Sequence, residues 1–123
     1  MTLRPPRSFL KAERDDALAY EMAQEQAAAL GRLGRALEAA LAALARHDGA
    51  IAREPDSESP SPSASRERER LVQNASEALW CFVVQREASG LRDQRLIFRE
   101  YGVPAEVRNR MGIVGGRGSV GDH

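Results

Sequence analysis

Apolar residues recur at intervals of three and four between Leu18 and Leu44. Stepped at about 100° per residue, Leu18, Met22, Ala29, Leu33, Leu37, Ala40, Leu41 and Leu44 fall on one side, and Glu21, Arg32, Arg35, Glu38 and Arg46 on the other. The spacing predicts one amphipathic helix over 15–47, about 50 Å long if unbroken, at about 1.5 Å per residue. Asp15 and Asp16 suit a first turn and Arg46 and His47 a last one, because each complements the helix dipole there, and Gly49 is placed as a stop. Gly31 and Gly34 interrupt this pattern. Either they admit close approach of another helix or the helix bends at them.

A second apolar arc joins Leu71, Val72, Ala75, Ala78, Leu79, Phe82 and Val83. It predicts a helix from about Ser65 to Ser89, with Gly90 as its break. A short third helix is expected over 91–101. A fourth is expected to start at Pro104, whose fixed φ and missing N–H suit a first helical position, and to end near Met111. Between the two long helices, Glu54 to Ala64 holds three Pro, four Ser and no large apolar residue, so it cannot offset its own ordering entropy. It reads as a disordered linker over 54–64. The segment 1–14 reads as a flexible arm, and 113–123, rich in Gly and without periodicity, as a disordered tail. The expected fold is all-α: a long two-helix hairpin closed by two short C-terminal helices, forming one helical domain over 15–112.

Trp80 and Val84 break the simplicity of the second helix, because they point almost opposite to Leu71 and Phe82. A helix apolar on two sides needs a second covering surface, either the C-terminal helices or another subunit. Trp80 is therefore expected to be buried, and Trp80 and Val84 form the candidate interaction surface.

Composition narrows the chemistry. With 18 basic and 18 acidic residues the 123-residue chain has no net charge to draw in nucleic acid or anionic lipid as a whole. All but one of the basic residues are Arg, the exception being Lys11. The one Cys, Cys81, forms no internal disulfide, the N-terminus MTLRPPRSFLKAERDD lacks the apolar stretch of a signal peptide, and no apolar run approaches the length of a bilayer span. A cytoplasmic protein without membrane contact is the expectation.

Candidate catalytic groups do not assemble. Cys81 lies off the core arc with no histidine near it in sequence, and it reads as a structural side chain, free Cys behaving as a small buried hydrophobe. His47 and Asp48 lack a third partner and read as a helix C-terminal cap. The run 112–118 follows a short helix rather than a strand and lacks the Gly-Lys-Ser/Thr ending of a phosphate loop. No catalytic, metal or cofactor residues are assigned, and no enzyme activity is expected.

The stretch RDQRLIFREYGVPAEVRNRMG carries the other functional signal. Arg92, Arg95 and Arg99 share a face of the third helix, and a turn at Gly102 leads to Arg108 and Arg110. This resembles a helix-turn-helix nucleic-acid reader, although Phe98 stands where a small residue is usual and Arg108 where an apolar one is usual. Asp93, Glu100 and Glu106 dilute the charge, and Glu106 and Arg110 are spaced for an i, i+4 pair.

SEALWCFVVQREASGLRD and YGVPAEVRNRMG together resemble the signature of a bacterial family of small helical domains of unknown function. The resemblance implies that 70–112 and part of the first helix fold as one unit, and it implies no activity. Two function classes follow. One is a noncatalytic helical interaction module, self-associating as a homodimer or binding another helical protein. The other is a small nucleic-acid-binding regulator using Arg92, Arg95, Arg99, Arg108 and Arg110.

Overall fold

In the computed structural model, which describes residues 7–54 and 60–116, four helices follow one another: α1 (Arg7–Ala52), α2 (Pro62–Ala88), α3 (Gln94–Glu100) and α4 (Ala105–Gly116). The fold is all-α, and no strand occurs among the described residues. Residues 1–6, 55–59 and 117–123, which hold parts of the expected arm, linker and tail, lie outside the described residues.

α1 is longer at both ends than its sequence signals suggest. It begins at Arg7 rather than Asp15, so neither Asp15 nor Asp16 lies in the first turn, and 7–14 is helix. The extension, RSFLKAER, consists mostly of good helix formers (Arg, Leu, Lys, Ala and Glu) and holds neither Gly nor Pro. At the other end it passes Gly49 to Ala52, so His47 is not a terminal cap. No Cβ-sized obstacle or positive φ forces a stop at Gly49, and Ile51 gains partial burial by continuing.

α2 starts with Pro62 at its first position and Ser61 as N-cap, the Ser61 hydroxyl accepting from the Ala64 N–H at 3.1 Å. The end of the expected linker is thus the first turn of α2. α2 and α3 end alike. Gly90 (φ 88°) lets the Leu91 N–H reach the Arg86 carbonyl and its own N–H the Glu87 carbonyl; Gly102 (φ 59°) does the same for Val103 to Phe98 and Gly102 to Arg99. Both are Schellman endings, which need a left-handed residue that glycine adopts at little cost. Leu91 to Asp93 are consumed by the first ending and by the N-cap of α3, where Asp93 accepts from the Leu96 N–H at 3.3 Å. α3 is correspondingly shorter than the sequence suggests, and α4 continues past Met111.

The core forms where the second half of α1 meets α2. Leu37 and Leu44 of α1 pack with Leu71, Val72, Ala75, Leu79, Phe82 and Val83 of α2, closed by Ile97, Val103 and Val107. Every buried α2 hydrophobe belongs to the arc read from the sequence. α4 approaches α2 at the small residue Ser76, which is fully buried, its hydroxyl donating to the Val72 carbonyl at 2.8 Å with the Val107 carbonyl 3.3 Å away.

α1 spans about 69 Å and α2 about 40 Å at about 1.5 Å per residue, from their 46 and 27 residues. Asp48 meets Arg68 and Gly34 meets Phe82, so the two helices run antiparallel and α2 ends opposite the middle of α1. Residues 8–28 of α1 are exposed throughout.

Candidate functional site: two apolar surfaces and an arginine notch

The free half of α1 carries its stripe into solvent. Leu18 and Met22 lie on the extension of the face that Leu33, Leu37 and Leu44 bury further along, yet they are 56% and 57% exposed. Phe9, Leu10 and Tyr20 are also exposed on this half. The sequence pattern is the same along the helix. What differs is that α2 has already ended.

Trp80 and Val84 form a second exposed pair, at 39% and 43%. The expectation that Trp80 is buried does not hold within one chain: α4 docks on α2 at Ser76, and among the described residues Trp80 and Val84 stay exposed. Cys81 is off the core arc as read, but it is exposed rather than buried.

The five arginines separate. Arg95, Arg99 and Arg108 line one open depression of about 560 Å³, with Phe98 and the buried Val103 between them. Arg92 is exposed in the connection before α3 and does not line it. Arg110 turns the other way, pairing with Glu69 and donating to the Gln73 side-chain oxygen of α2 at 3.2 Å. The spaced pair of Glu106 with Arg110 does not form, because α2 offers both residues better-placed partners.

Glu106 is held by Arg68, which no periodicity singles out. Its guanidinium reaches Asp48 of α1 through Nε at 2.8 Å and pairs with Glu106 of α4, joining three helices. Hydrogen bonding from Arg68, reinforced by its charge, holds both carboxyls below the usual range against the opposing effect of partial burial. The same two carboxylates raise the Arg68 guanidinium further above its ordinary value. Beside it, between the end of α1 and the start of α2, lies a cleft of about 530 Å³ touching His47, Ile51, Pro60, Ala64 and Arg68. His47 Nδ1 is buried, 3.8 Å from an Asp48 oxygen, and has no hydrogen-bond partner among the described residues.

Among the described residues no group of three His, Cys, Asp or Glu is placed to hold a metal ion, and no helix is long and apolar enough to cross a membrane. No protein-family model, curated protein or solved structure matches the chain.

Proposed function

We propose that the protein is a noncatalytic helical interaction module that self-associates through the free half of α1. One observation carries this: a stripe that is core beside α2 continues through Met22 and Leu18, each more than half exposed among the described residues. Isolated helices gain most of their stability from packing such a face, and a clustered apolar surface on a folded protein marks an interaction site. A second copy supplies a like surface, and an association with two-fold symmetry is the commonest solution. Trp80 and Val84 add a further apolar patch for the same association. The single unpaired Cys81 accords with a reducing, cytoplasmic setting.

Sedimentation equilibrium of the full chain tests the reading. Wild type should sediment above the monomer mass, and the double substitution Leu18→Glu with Met22→Glu should shift it to monomer without loss of thermal cooperativity in the α1–α2 core. A wild-type protein that is monomeric at tens of micromolar rejects self-association.

Nucleic-acid contact is the second reading, and it is favoured by the lack of carboxylate partners at Arg95, Arg99 and Arg108 among the described residues. Arg110, engaged with Glu69, drops out of the set. Salt-sensitive retention on nucleic acid that is lost in Arg95→Glu with Arg99→Glu would put this reading first.

A further inference from the structure

Arg95 and Arg99 stand one turn apart on α3, and Arg108 comes from the first turn of α4 across the Gly102 ending. Three guanidinium groups thereby border one depression, although the whole chain is neutral. Of the nearby acids, Asp93 caps α3, Glu106 is held by Arg68, and Glu100, about 100° round α3 from Arg99, does not line the depression. Arg108 is also oriented, its guanidinium carbon lying 5.6 Å from the Phe98 ring centroid. Such a cation–π contact restrains the head group while leaving its N–H donors for an acceptor.

The geometry points to a binding site for a phosphate group in the notch between α3 and α4, held by Arg95, Arg99 and Arg108. Like charges gathered at one depression repel, and a multiply charged oxyanion relieves that repulsion while filling several guanidinium forks. A carboxylate carries one charge and occupies one fork. The depression, about 560 Å³, is larger than a lone phosphate and leaves room for the group it esterifies. The phosphate can be the terminal group of a small ester such as a nucleotide, with its charge spread over three free oxygens, or successive phosphodiesters of a nucleic-acid backbone, each singly charged and together filling several forks. The notch lies apart from Leu18 and Met22, so this site stands or falls independently of self-association.

Nitrogen-proton correlation spectra of the arginine Nε–H groups in the full chain test the site. The probes are inorganic pyrophosphate, a short mixed-sequence DNA strand, and citrate. Arg95, Arg99 and Arg108 should respond saturably while Arg92 and Arg32 stay in place. Arg95→Gln and Arg99→Gln should each weaken binding about tenfold, the usual scale for losing a charge-assisted hydrogen bond, with Arg92→Gln unchanged. Because both substituted residues are exposed, folding is retained and is checked by circular dichroism. Saturation by pyrophosphate alone assigns the site to small phosphate esters, by DNA alone to backbone phosphodiesters, and by both to the shared group. No response at millimolar probe, equal responses at Arg92 and Arg32, or citrate binding as tightly as pyrophosphate overturns the proposal.

Discussion

Gly34 lies directly beneath the Tyr101 hydroxyl: a Cβ built on Gly34 would sit 2.9 Å from Tyr101 Oη and 3.5 Å from Phe82 Cε1. Of the two explanations for a glycine in mid-helix, close approach is the one realised here. Tyr101 meets the Phe82 ring edge-on, with centroids 5.4 Å apart, so the same contact joins α1, α2 and the end of α3. Gly34→Ala gains about 1 kcal/mol of helix preference and loses about 1–3 kcal/mol to overpacking. The expected net effect is a lower midpoint in urea. Gly49→Ala meets nothing within 4 Å and should raise the midpoint, and Tyr101→Phe should restore part of what Gly34→Ala loses.

The Arg68 junction should give a distinctive acid profile. Asp48 and Glu106 have folded pKa values below the ordinary 3.8 and 4.5, so their contribution is complete above those values and is lost as pH falls through the lowered ones. Arg68→Gln removes both pairs and leaves the two carboxylates repelling each other. Thermal midpoints of wild type and Arg68→Gln should differ at pH 7 and converge only as pH falls below the ordinary carboxyl values and through the lowered ones. The groups are partly exposed, so screening limits each pair to about 1 kcal/mol or less. A gap that stays constant down to pH 2.5 would show that Arg68 contributes by packing.

Ser76 governs how closely α4 can dock. Ser76→Ala should cost about 1 kcal/mol for the lost hydrogen bond. Ser76→Leu places a large side chain against the Val107 backbone and should cost about 1–3 kcal/mol or more. Hydrogen exchange at Val107 to Met111 should accelerate in the Leu variant while α1 amides from Leu37 to Leu44 keep most of their protection.

Cys81 and Trp80 report on the outer side of α2. Cys81 should react fully with a thiol reagent in the Leu18→Glu, Met22→Glu background, since it is exposed within one chain, and more slowly in the associated wild type, where the Trp80 and Val84 side is covered. Trp80→Ala in the Leu18→Glu, Met22→Glu background should cost less than the roughly 3–5 kcal/mol of a fully buried Trp, because the side chain is partly in water within one chain. Denaturant titration gives the value, and a full-sized loss would mean that Trp80 is covered.

The helical character, the approximate place of each helix and the core face of α2 were legible in the chain itself, because a period near 3.6 and glycine at 90 and 102 are local facts. The stripe on α1 was legible too, but not which part of it is buried. Met22 and Leu44 lie only about 40° apart around α1, and one is in water while the other is enclosed beside α2. Helix ends shifted for the same reason. Gly49 is a plausible stop locally, and packing near α2 carries α1 beyond it. The arginines show the limit most clearly. Spacing pairs Glu106 with Arg110, whereas the docking of α4 on α2 brings Arg68 to Glu106 and Glu69 to Arg110, from partners 37 residues or more away along the chain for Arg110–Gln73 and Arg68–Glu106. Residue type and period decide which surfaces a helix has, and the contacts between distant segments decide which of those surfaces are used and which remain free.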